Sequence, residues 1–249
     1  MFRNNPSVVS SLIIINIVVF LVGLVTQQPA MLSIAAPGSP TSEPALQIMG
    51  SYSWFTCFME GELWRLISYQ FLHANFGHLL FNMWALFFFG RLMEHLMGPR
   101  FFLVYYLLCG VAGALFSSTL AGLGIFSSLP DDPQSVLLVN ELVAHYTDYS
   151  GVVQPWQMIP MIGASAAVYG VMVAVAFLFP REYISLLFPP ITMTMRAFAL
   201  TVIVIASFTI LLNFDNAGGE AGHLGGIIMG ALIMMGWKMY LNSHYRRNR

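Results

Sequence analysis

Long apolar stretches alternate with short polar ones along the whole chain. Six of the apolar stretches, over residues 8–25, 76–95, 101–121, 161–179, 197–213 and 222–237, are nearly free of charge. Each is close to the length a helix needs to cross a hydrocarbon core of roughly 30 Å. The period-two alternation of a membrane barrel is absent, and in lipid every backbone amide needs an internal partner, so helix is the predicted state. The pattern predicts an all-α membrane protein. Residues 1–249 form a single six-transmembrane-helix bundle with no separate soluble domain.

The polar stretches differ from one another. Thr26 to Asn75 begins with Pro29, Pro37, Pro40 and Pro44 and then turns aromatic from Tyr52 to Phe58, too apolar for a solvated linker and suited to the outer headgroup region. The second span is polar at both ends, His73 to His78 and Arg91 to His95, and apolar from Leu79 to Gly90. Gly122 to Pro160 is long, acidic and without Lys or Arg, which marks a functional element or an insertion. Pro160 and Pro180 bracket the fourth span, and the fifth has no ionisable residue.

Composition removes the soluble alternatives. Hydrophobic residues make up 57% of the chain and charged ones 8%, with a mean hydropathy of +0.73. Such a chain is an integral membrane protein with the lipid bilayer as its surroundings and no nucleic acid among its partners. With both termini cytoplasmic, Arg3, Arg91, Arg100, Arg181, Arg196, Lys238, Arg246, Arg247 and Arg249 all lie inside and Arg65 alone lies outside. The first span, followed by Ser33-Ile34-Ala35, reads as an uncleaved helix rather than a signal peptide. The absence of a long targeting extension points to a bacterial cell membrane. Cys57 and Cys109 fall at different depths, against a disulfide framework or a metal site.

Four polar side chains reach a common depth. At about 1.5 Å per residue Ser165 lies roughly 7 Å below Pro160, His223 roughly 6 Å below Gly219, and His78 and Asn82 roughly 4 and 10 Å below Asn75. Small residues at intervals of four, Ala166, Gly170 and Ala174 in the fourth span and Gly222, Gly226 and Gly230 in the sixth, let the two helices approach closely. The chemistry predicted is nucleophilic: His223 takes the Ser165 proton as the hydroxyl attacks a peptide carbonyl. No Asp or Glu is expected at that depth, so the arrangement reads as a dyad. His78, Asn82 and the Ser165 N–H are candidate oxyanion donors. Tyr169, one turn below Ser165, is placed to pack on the His223 ring.

These residues carry a family resemblance. Trp64-Arg65, His78-x-x-x-Asn82, Gly90-Arg91-x-x-Glu94-x-x-x-Gly98, Gly163-x-Ser165 with Tyr169, and Gly222-His223-x-x-Gly226 follow the order and spacing of the rhomboid intramembrane serine proteases. The resemblance covers essentially all of the chain after the first span and part of its loop. It implies an enzyme that cleaves transmembrane proteins within or near their membrane helices without a cofactor or metal. It further implies Ser165 as nucleophile, His223 as base, His78 and Asn82 at the oxyanion, Trp64 and Arg65 in a membrane-embedded first loop, and the fifth helix as a lateral gate. One residue departs from the pattern: Ala166 stands where the family has Gly, and its methyl group is expected to narrow the cleft or shift the oxyanion backbone.

Plainer readings stand beside these. A serine in a membrane helix usually bonds back to a carbonyl one turn earlier. His73 reads as a structural partner, His95 and His145 as ordinary loop or interfacial residues, Arg91 and Glu94 as a structural pair or carbonyl caps, and the 16 Met residues as core filler. The rival functions are a rhomboid-like pseudoprotease that binds transmembrane helices without cutting and a small transporter. Ser165 and His223 together disfavour the first. The second lacks an ionisable path toward the cytoplasm.

Overall fold

The computed structural model describes residues 7–26, 45–126, 154–186, 190–214 and 216–247. Among them, six helices of 14 residues or more appear in chain order, numbered here α1 (Val8–Thr26), α2 (Phe76–Met97), α3 (Pro99–Gly122), α4 (Ser165–Leu178), α5 (Met195–Leu211) and α6 (Ala217–Arg247). Helices α1, α2, α3 and the Ala217–Ser243 part of α6 are long and apolar enough to cross a membrane. The other two, of 14 and 17 residues, reach about 21 and 26 Å at about 1.5 Å per residue. An antiparallel hairpin, β1 (Tyr183–Ser185) with β2 (Thr192–Thr194), joins α4 to α5. Residues 127–153, to which the expectations for His145 and most of the acidic loop attach, lie outside the described part.

Local chemistry explains several helix ends. Asn75 caps α2 through its side-chain oxygen, which accepts the His78 N–H at 2.8 Å. Midway, Leu86–Gly90 widens into a π-helical turn. Pro99 opens α3, where a missing N–H costs nothing. Thr194 caps α5 by accepting the Ala197 N–H at 3.2 Å.

Two expected boundaries are corrected. The fourth helix starts at Ser165, not Met161, because Met161 is held in a two-way backbone bridge with Tyr52 (3.0 and 2.6 Å) and the Gly163 N–H donates to the Tyr69 carbonyl at 2.9 Å. The sixth helix starts earlier than residue 222, at Ala217, and runs on to Arg247. The Arg91–Glu94 pairing also gives way to other contacts. Glu94 caps α1, accepting from the Ser7 hydroxyl (2.6 Å) and the N–H groups of Val8 (2.7 Å) and Val9 (3.0 Å). The Arg91 guanidinium lies over the Phe87 ring, 4.3 Å from its centre.

The core lies where α3, α4 and α6 meet. Tyr105, Tyr106, Cys109, Val168, Val171 and Met234 are fully buried there. The helices nearly touch backbone to backbone: a side chain at Gly226 would overlap the Ala166 carbonyl oxygen, and one at Gly113 would overlap the Ala166 methyl and lie 2.8 Å from the Gly222 carbonyl oxygen. The spaced small residues of α4 and α6 thus form the contact expected of them.

The segment Ala45–Asn75 folds onto one end of this core. Tyr52 bonds Ser118 at 2.9 Å and Tyr69 donates to the Gly110 carbonyl at 2.6 Å. Arg65, 7% exposed, pairs with Glu62 and donates to the Ser51 carbonyl at 2.8 Å. Its neighbour Trp64 points outward, with Phe58, Met59 and Leu63 also exposed. Cys57 and Cys109 are both buried and unpaired.

Candidate active site

Ser165 owes its position to the bridge that delays α4. It is the first residue of the helix, and Ala164 before it offers no side-chain cap. The Val168 N–H is the first in α4 to reach a carbonyl four residues back, that of Ala164 at 3.0 Å. The N–H groups before it have no acceptor within the helix. No helical turn precedes Ser165, so the back-bonding that commonly occupies a membrane serine is not open to it. Among the described residues the Ser165 hydroxyl makes no hydrogen bond.

Gly163 sets the approach. Its φ of +126° lies in the region that glycine alone adopts without strain. A Cβ there would sit 2.8 and 2.9 Å from two atoms of the His78 ring and 3.6 Å from Ser165 Oγ. Any side chain there would therefore force the His78 ring to shift.

A cavity of about 780 Å³ gathers the polar residues. His78 and Asn82 from α2, Ser165 and Tyr169 from α4, and His223 from α6 all line it, together with Asn75, Asn216 and Gly219. Apart from these polar residues the lining is mostly apolar: Phe81, Trp84 and Phe88 of α2, Met172 of α4, Phe198 of α5, and Ile184 and Leu186 at the hairpin. Trp64 and Arg65 are not part of it. They belong to the packed segment described above.

The side chains at the polar end are individually constrained. The Tyr169 and His223 rings lie flat on each other, 4.1 Å between centres and 5° between planes. Asn82 is buried and donates one amide hydrogen back to the His78 carbonyl at 2.9 Å, which leaves its second hydrogen free for another acceptor. His78 meets the His73 ring edge to face at 5.0 Å. Burial, reinforced by His78, lowers the pKa of His73 to about 3, and neither of its ring nitrogens has a hydrogen-bond partner among the described residues.

Two expectations change. Glu220 lies beside His223, its Oε2 3.0 Å from Nδ1, so a carboxylate does stand at that depth. A sixth span read from residue 222 leaves Glu220 outside it, at the outer rim. The signal was its i, i+3 spacing from His223, which acts only once α6 begins at Ala217. The Ala166 methyl, in turn, does not narrow the cavity. Ala166 is 4% exposed and faces Gly113 of α3, whose missing side chain makes room for it. Among the described residues no group of three or more His, Cys, Asp or Glu side chains converges to hold a metal ion.

The family model described as the Rhomboid domain matches residues 60–240, a range that contains every residue lining the cavity. Among curated proteins, YdcA of Bacillus subtilis is 29% identical over 177 residues, 70% of this chain and 66% of its own length. Rhomboid protease AarA of Providencia stuartii is 25% identical over 229 residues, 91% of this chain and 71% of its own. Inactive RHOMBOID-like protein 8 of Arabidopsis thaliana is 37% identical over 76 residues, 30% of this chain and 22% of its own. The chain therefore spans well under the full length of these relatives.

Proposed function

The chain belongs to the rhomboid family, and from that premise we propose that it is an intramembrane serine endopeptidase cleaving membrane-anchored proteins within or near their transmembrane helix. The observation that carries the reading is the placement of Ser165 at the uncapped start of α4, in one cavity with His223. In this reading Ser165 Oγ bonds to the scissile carbonyl carbon while His223 takes its proton. His223 then gives that proton to the leaving amine, and water releases the acyl group by the same path in reverse.

The carbonyl oxygen, negative in the tetrahedral intermediate, needs donors already in place. The Ser165 N–H at the positive end of α4, the second amide hydrogen of Asn82 and the ring of His78 are the groups proposed. Apolar walls beside this polar end suit a substrate that is lipid-embedded over most of its length and exposes its peptide backbone only locally. The six helices are read as a bundle in a bacterial cell membrane, both termini cytoplasmic, the site opening to the other side, and the exposed Phe58, Leu63 and Trp64 resting among headgroups.

One relative in this family carries the word inactive in its name, which keeps a helix-binding pseudoprotease as the second reading. A fluorophosphonate probe on the detergent-solubilised protein, paired with cleavage of a model transmembrane substrate, separates the two. Labelling and cleavage are expected in the parent and lost in Ser165→Ala, with cleavage also lost in the folded His223→Ala variant. Parent protein that neither labels at Ser165 nor cuts would leave the binding reading standing instead.

A further inference from the structure

His223 is held from two directions. The flat stack on Tyr169 fixes the plane of its ring. The Glu220 carboxylate at Nδ1 fixes how the ring is turned within that plane. A carboxylate only accepts, so this contact places the proton of a neutral imidazole on Nδ1 and leaves the lone pair on Nε2. Side-chain exposures of 12% for His223 and 20% for Glu220 keep the contact mostly out of water, where it is stronger than at a surface. The other titratable groups around this ring are His78 from α2 and Tyr169 from α4, and neither supplies a negative charge at physiological pH.

We propose that Glu220 is a positioning residue for His223, so that the hydrolytic site is a three-membered Ser165–His223–Glu220 arrangement rather than a two-membered one. This rests on the protease reading above. The proton leaves Ser165 Oγ for His223 Nε2 as the oxygen bonds to the carbonyl carbon, and then passes to the leaving nitrogen as the peptide bond breaks. In this sequence Glu220 only accepts the hydrogen bond from Nδ1 and takes no proton. Its effect is to select the reactive tautomer and to stabilise the transient imidazolium. The plainer role for an acidic residue in the first turn of a helix is to offset the helix dipole, which affects stability alone.

Glu220→Gln separates the two roles because it keeps the shape and removes the charge. In the full-length protein in detergent, E220Q is expected to lower kcat about 10- to 1000-fold with KM changed less than about threefold. Fluorophosphonate labelling of Ser165 should slow in parallel, while Tm stays within a few degrees of the parent. E220D, which keeps the charge, should retain more kcat than E220Q. The inference is overturned if E220Q turns over within about twofold of the parent per folded molecule, whatever its Tm, or if E220D loses as much as E220Q. In those cases Ser165-dependent labelling of the parent still upholds the protease reading. A parent that shows no such labelling overturns both.

Discussion

Two helices that border the cavity, α4 and α5, are packed in opposite ways. On one side α4 packs between α3 and α6 so closely that Gly226 touches the Ala166 backbone, and eight of the 14 residues of α4 are buried. On the other side α5 buries Met195, Ala206 and Ile210 and leaves Leu200, Val204, Ile205, Phe208 and Leu211 more than half exposed. Ser165 and His223 both ride on the tight side. A reaction that depends on sub-ångström placement of two groups is served by helices whose backbones are in contact. If the proposed protease function holds, entry of a bulky, lipid-embedded substrate would be served by a helix with few protein contacts to give up.

The sharpest way to break this contrast is Gly226→Ala. Its new methyl would overlap a backbone oxygen that has nowhere to move, so a loss of about 3 kcal/mol or more is expected in reversible unfolding in mixed micelles. A variant as stable as the parent would mean that the α4–α6 contact is looser than described.

Gly113→Ala is expected to cost less, about 1–3 kcal/mol, and it tests why Ala166 is tolerated. Adding Ala166→Gly should return part of that loss, since one of the two overlaps disappears while the approach to the Gly222 carbonyl remains. A coupling energy of at least about 0.5 kcal/mol between the two sites is the signature. Strict additivity would show that the residues do not share the contact.

The smallest effect is expected on the loose side. Phe208→Ala removes a ring that is 61% exposed and should change stability by less than about 0.5 kcal/mol. A loss comparable to that of Gly226→Ala would erase the distinction between the two faces.

Much of this is legible in the sequence. Helical rise alone brought His78, Asn82, Ser165 and His223 to one level, and they line one cavity. What stayed hidden depended on contacts between distant residues. The start of α4 is set by Tyr52, more than a hundred residues earlier. The room for the Ala166 methyl is supplied by Gly113 on another helix, and periodicity within a single helix does not say which neighbour a small residue will meet. Glu220 was hidden for a local reason: hydropathy ends a span where lipid-compatible residues end, whereas a helix ends where its hydrogen bonds do.

The cap on α1 sets an order of events during synthesis. Val8 and Val9 find their acceptor in Glu94, 86 and 85 positions further along the chain. At about 5–20 residues per second the ribosome needs roughly 4–17 s to supply it. Until then the leading amides of the first helix have only water to bond, and this cap closes only after the second helix has been made.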